Sequence, residues 1–271
     1  MKGAVHAEFR KVVSTKVWWG LLIPLVLLSA VVNLFGGAFS AALPADGALP
    51  LLLGSLAYAL GLTGVFAVVH GVVAAAAEHR HRTITTTLLT TPGRWRVLLA
   101  KMAVSAGFGV LYAVATVLVG MATGLVSAAD AAVPATGPLL ATIAIGVVVT
   151  ALWGAAGAAL GTAVGNLVGA LVGALLYLML VERLVSMVLA GAESPAVQAW
   201  SPYLPGNAGE VAIYGIPARE IVGPLTGPQV VEQLAGTTAP PPWGVGLLTL
   251  ALWTAVVGAV AWYVDARRDI T

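Results

Sequence analysis

Residues 131–181 read AAVPATGPLLATIAIGVVVTALWGAAGAALGTAVGNLVGALVGALLYLMLV, 51 residues without an Asp, Glu, Lys or Arg. One bilayer crossing takes about 20 apolar residues. The run is too long for one helix and long enough for two joined by a tight turn. Gly165-Asn166 is the expected turn, because both residues tolerate left-handed backbone. The run is continuously apolar rather than alternating, which excludes a transmembrane β-barrel. Whether it holds one span or two decides whether the chain's ends share a side of the membrane.

Four further charge-free runs flank it, at 17–45, 47–77, 102–129 and 233–264. A charged side chain at mid-bilayer costs roughly 2.5–3.5 kcal/mol on insertion scales, so gaps between charges mark spans. Six helices follow, at 17–36, 50–77, 97–127, 138–163, 167–189 and 243–264. The expected fold is therefore an all-α polytopic membrane protein. Composition agrees: the chain is 59% hydrophobic and 9% charged, where a soluble domain carries about 25% charge. That excludes a soluble globular protein and a disordered chain. The absence of cysteine excludes a disulfide scaffold, thiolate chemistry and a Cys-ligated metal. The net charge of +2 is too small to imply nucleic acid. A cleavable leader is not expected, since the charged stretch before the first apolar run is long and no small-residue cleavage site follows it.

Orientation follows from Lys and Arg. Lys2, Arg10, Lys11 and Lys16 precede span 1; Arg80, Arg82, Arg94, Arg96 and Lys101 lie between spans 2 and 3; Arg267 and Arg268 follow span 6. Eleven of thirteen basic residues thus fall on one side, leaving Arg183 and Arg219 elsewhere. Both termini are expected in the cytoplasm.

Three segments lie outside the spans. In the first, Val5, Phe9, Val12 and Val13 follow helical spacing, with His6, Glu8, Arg10 and Lys11 on other faces. This reads as a short helix in the cytoplasmic interface; a polar tail that only orients span 1 is the alternative. The second, residues 78–96, is EHRHRTITTTLLTTPGRWR. Thr91-Pro92 reads as a helix start, with Thr as N-cap and Pro at N1. A short helix within 84–89 is weak by propensity, because threonine loses side-chain freedom in helices. A topology-setting loop accounts for the arginines. It does not account for Glu78 followed by a hydroxyl-rich, partly apolar stretch, which suits docking onto another protein. The third, residues 190–242, holds nine of the fifteen prolines, so long regular structure is not expected there. Short pieces are, such as 228–235, with Val230, Val231 and Leu234 on one face and Gly236 as the stop. Trp200, Tyr203 and Tyr214 suit a membrane interface. These pieces read as small helices on or dipping into the outer leaflet; an irregular loop is the alternative.

Gly157, Gly161, Gly165, Gly169 and Gly173 recur every four residues, as do Gly120 and Gly124. Small residues at this spacing let helices approach closely, within or between subunits. Chemistry is sparse. No P-loop, H-E-x-x-H or G-x-S-x-G motif occurs, and no metal site is expected. His70 is the one ionisable group deep within a span, a candidate for a substrate or proton role, although a neighbouring hydroxyl or carbonyl satisfies a lone neutral histidine. Glu182 and Arg183, near the outer end of span 5, read as structural.

The order of these features resembles the membrane subunit of ABC-2 type transporter permeases, in the subgroup with separate ATPase chains. The resemblance rests on HAEFRKVVSTKVWW (6–19), EHRHRTITTTLLTTPGRWRVLLAK (78–101) and SPYLPGNAGEVA (201–212), and covers the whole chain. In such permeases a glutamate, a threonine and a leucine-containing short helix ending near a proline form the coupling helix that enters a cleft of the ATPase. The resemblance places these at Glu78, Thr83, Leu88, Leu89 and Pro92, with Arg80, Arg82, Thr86 and Arg94 beside them. Arg82 stands where the family often has Gly, and Gly165-Asn166 lacks the basic residue common after span 4 in the family. The segment between spans 5 and 6 resembles the family's extracellular re-entrant helices, with Tyr203 and Pro205 as gate candidates.

The resemblance implies a multi-pass subunit of the plasma (inner) membrane that is not itself an enzyme. Its partners would be two ATPase subunits and a second permease copy or relative. ATP and Mg would bind the partner, leaving this chain without a cofactor. Export of a hydrophobic or amphipathic substrate is expected, with Tyr58, Phe66, His70 and Tyr112 as lining candidates. An autonomous secondary transporter or channel would need intramembrane charges or a polar filter. A non-transporting anchor or immunity protein is a third reading.

Overall fold

Inside lipid no water satisfies backbone N–H and C=O groups, so an apolar run must close its hydrogen bonds on itself. The computed structural model describes residues 2–42, 50–80, 93–128 and 134–267, with backbone alone at 78–80, and every apolar run in it is a helix. In chain order the helices are α1 (Lys2–Ser14), α2 (Val17–Ala41), α3 (Leu51–Arg80), α4 (Arg94–Ala128), α5 (Thr136–Val164), α6 (Leu167–Ala190), α7 (Pro195–Gln198), α8 (Pro205–Val222), α9 (Gly227–Ala235) and α10 (Trp243–Arg267). Six of them, α2 to α6 and α10, are long and apolar enough to cross a membrane. No strand occurs among the described residues. α6 loosens to a π-helical turn at Tyr177–Val181.

The 51-residue run divides where expected. Gly165 takes φ 67°, a left-handed cap, and its N–H donates to the Gly161 carbonyl. Asn166 then caps α6, its side-chain oxygen accepting from the Gly169 N–H at 2.9 Å. The two-residue turn folds α5 and α6 into a hairpin.

The bundle is built on α3 against α5 and α2 against α4, with α4 also packed on α3 and α5. Glycines set the α3–α5 distance. A Cβ on Gly71 would collide with the backbone of Gly154, Gly157 and Ala158, and one on Gly157 with the Val68 carbonyl. Gly161 faces Val72 in the same way, whereas Gly173 faces open space. The four-residue glycine series therefore serves packing inside this chain at its start, and not at its end. Buried hydroxyls add interhelical hydrogen bonds. Ser29 Oγ donates to the Thr116 carbonyl (2.8 Å), the Thr63 and Thr116 hydroxyls meet at 2.8 Å, and Ser55 Oγ donates to Asn33 Oδ1 (3.0 Å).

Four sequence expectations need correction. α1 is a helix, but Glu8 and Val12 are buried against the bundle while Phe9 and Val13 are exposed. Lys101 supplies the countercharge that lets Glu8 turn inward (3.0 Å). α4 starts at Arg94 and Gly93 before it takes φ 97°, which no helix continuing into α4 allows; Thr91 and Pro92, the expected start, lie outside the described residues. Residues 190–242 contain an 18-residue helix, α8. Pro195, Pro205 and Pro228 begin helices rather than break them, since a missing N–H costs nothing in a first turn. Pro217 lies inside α8, and the burial of that helix offsets a cost of about 3 kcal/mol. In α9 the buried stripe is Gly227, Val231 and Ala235, with Leu234 exposed; Gly236 ends it as expected.

α8 packs on α10, α9, α3 and α5. Its Val211, Ala212, Ile213 and Tyr214 join Ile145, Val149 and Leu250 in the largest apolar cluster.

Candidate functional site

Charged groups gather at the end of the bundle where α1 lies. Glu8 is 6% exposed and holds both Lys101 (3.0 Å) and Lys11 (2.6 Å). Arg94, in the first turn of α4, donates to the Asp265 carbonyl near the end of α10. Arg267 stacks over the Tyr263 ring at 4.2 Å. The start of α4 therefore lies beside α1 and the end of α10. Of the coupling candidates, Glu78 and Arg80 end α3 and are described by backbone alone. Arg82, Thr83, Thr86, Leu88, Leu89 and Pro92 lie outside the described residues, as does the helix weighed within 84–89.

Two of the four lining candidates meet. The Tyr112 hydroxyl donates its one proton to the Trp18 carbonyl at 2.9 Å. His70 Nδ1, at 3.0 Å from the same oxygen, must then be the donor to it. That fixes the tautomer and leaves Nε2 as a buried acceptor with no partner among the described residues. The ring stacks on Phe108 at 4.7 Å. His70 thus ties the start of α2 to α3 and α4. Phe66, one turn earlier on α3, is half-buried, and Tyr58 is 47% exposed. Tyr58 lies twelve residues before His70, about 18 Å along the helix axis, too far to share its site.

At the far end of the bundle a second polar knot joins α6 to α8. Glu182 is 2% exposed. Its carboxylate accepts from the N–H groups of Gly206 (3.0 Å) and Asn207 (2.7 Å), the first turn of α8. A carboxylate is favoured there because the N–H groups of a first turn have no helical partner and carry partial positive charge. Asn207 Nδ2 donates to Ser186 Oγ (2.7 Å) and the Ser201 carbonyl (2.8 Å). Arg183 turns away from Glu182, donating to the Ala235 carbonyl and Glu210 at 2.6 Å each. Burial pushes the Glu210 carboxyl above the ordinary carboxylate range, against the pull of Arg183. Glu182 and Arg183 therefore do not pair with each other, and each ties α6 to a different part of the 190–242 segment.

Pro205 and Tyr203 flank this knot. Pro205 opens α8, and the Tyr203 carbonyl accepts from Trp253 Nε1 at 2.9 Å. Pro205 also borders an apolar crevice of about 520 Å³ between α5, α6 and α10, walled by Trp153, Leu160, Tyr177, Leu178 and Trp253. The sequence reading missed this crevice. Its aromatic residues sit on three different helices, and no spacing within one helix points to them. Among the described residues no group of three or more His, Asp or Glu comes together to hold a metal.

No protein-family model and no curated protein matches the chain.

Proposed function

We propose that this chain is the permease subunit of an ATP-binding cassette transporter of the ABC-2 type. It exports a hydrophobic or amphipathic molecule, such as a drug, antibiotic or lipid-like compound, while ATP is hydrolysed on a separate subunit. The observation that supports this most is the overshoot of α3 and α4. At 30 and 35 residues they run about 45 and 52 Å, against a hydrocarbon core of about 30 Å. The excess lies at the end marked by Lys101–Glu8 and Arg94–Asp265. On this reading the basic 78–96 segment lies clear of the apolar slab, within reach of another protein. On this reading Glu78, Thr83, Leu88, Leu89 and Pro92 form the coupling helix, and closure of two ATPases drives the spans through it.

The distribution of Lys and Arg supports placing both termini in the cytoplasm of a plasma-membrane protein. The grip of Glu182 on the first turn of α8 supports reading α8 as a re-entrant helix that closes the outer end of the pathway. The apolar walls of the crevice between α5, α6 and α10 support a hydrophobic cargo. Two copies, or this chain with a related permease, would complete the transporter.

Gentle detergent extraction from native membranes tests the reading: a stoichiometric P-loop ATPase should co-purify. In the reconstituted complex, Glu78→Ala with Thr83→Ala should abolish transport while ATP hydrolysis persists. Full transport by the chain without any ATPase overturns the proposal.

A further inference from the structure

A groove of about 960 Å³ runs between α1 and α4. Its wall on α1 carries, besides Val5, one helical stripe, Lys2, His6, Phe9 and Val13, spaced by four, three and four residues. The stripe is basic where α1 begins and apolar where it ends, and all four residues are exposed. The wall on α4 includes Gly107 and Leu111, four residues apart on a second stripe. Gly107 keeps the groove open there, since a Cβ on it would meet nothing within 4 Å.

The two helices run together at a slant. On α1 itself, Glu8 meets Lys101, whereas Val12 packs with Val104 and Phe108, three to seven residues or about 5–10 Å farther along α4. The chain therefore climbs α4 as it proceeds. Lys2 and His6 then lie toward the end of α4 that Lys101 marks, and Val13 and Leu111 toward its apolar middle. Polarity along the groove follows the same axis, basic at the rim and hydrocarbon within.

We propose that this groove binds one anionic phospholipid. Its headgroup rests on Lys2 and His6, and an acyl chain lies along Phe9, Gly107 and Leu111. Charge complementarity selects this occupant. Basic residues at headgroup depth attract anionic lipid, and an acyl chain is the apolar partner that the surrounding leaflet supplies at that depth. An apolar helix from a second copy would fill the inner part and bring no anion to the rim. The proposal does not depend on the transport reading.

The test is native mass spectrometry of the full chain equilibrated with equal amounts of phosphatidylglycerol and phosphatidylcholine. The wild type should retain one lipid with a clear preference for phosphatidylglycerol. Lys2→Glu with His6→Glu should lower that preference about fivefold or more, with retention of the acyl portion unaffected. Gly107→Leu projects into open space, so it should leave the melting temperature unchanged and displace lipid of both kinds. Retention without headgroup preference in the wild type, or undiminished retention in Gly107→Leu, overturns the proposal.

Discussion

Gly157 and Gly173 stand at the two ends of the four-residue glycine series, sixteen residues apart, and have opposite surroundings. At Gly157 a Cβ would strike the Val68 backbone, while at Gly173 it would meet nothing within 4 Å. Gly157→Leu should therefore push α3 from α5 and lower stability by at least about 1–3 kcal/mol, the usual range for overpacking. It should read as a lower melting temperature in detergent. Gly173→Leu should melt as the wild type does. Equal behaviour of the two variants would show that the series is not an α3–α5 packing device. Glu182 allows a second comparison. Glu182→Ala strips two first-turn N–H groups of their acceptor, and buried donors left unpaired cost about 1–3 kcal/mol each. Glu182→Gln keeps one side-chain oxygen and should lose roughly half as much. Identical melting of Glu182→Ala and wild type would rule out the carboxylate as the tie between α6 and α8.

At the scale of elements, the spans were legible because lipid leaves an apolar run one backbone solution, the helix. Gly165-Asn166 was legible too, since the turn needed a left-handed residue and a cap and the sequence offers both. α9 was bounded correctly by a proline and a glycine. What escaped depended on contacts between elements. α8 could not be read through its prolines, because what offsets Pro217 is burial against α3, α5 and α10. The inward turn of Glu8 could not be read either, since its partner Lys101 is 93 residues away. In the candidate site, His70 and Tyr112 were legible as an ionisable group and an aromatic within spans, but not as a bonded pair. Trp153, Tyr177 and Trp253 were not legible, because only the packing of three helices assembles them.

For the whole molecule, the sidedness proposed above rests on the placement of eleven basic residues, and it can be tested directly because the chain lacks cysteine. Leu225, 90% exposed between α8 and α9, is the natural probe. Leu225→Cys should react with an impermeant thiol reagent applied outside intact cells. Trp95→Cys, at the start of α4, should react only after the inner face is opened. The reverse pattern would invert the topology. The hairpin between α5 and α6 has a mechanical corollary. Two residues set the separation of these helices at that end, so the walls of the crevice between them can spread only at the other, as the legs of a compass do from their pivot. The spreading end is where Glu182 clasps the first turn of α8. If the chain transports as proposed, a molecule leaving the crevice for the far side would have to unfasten that clasp, whereas one slipping sideways into lipid would not.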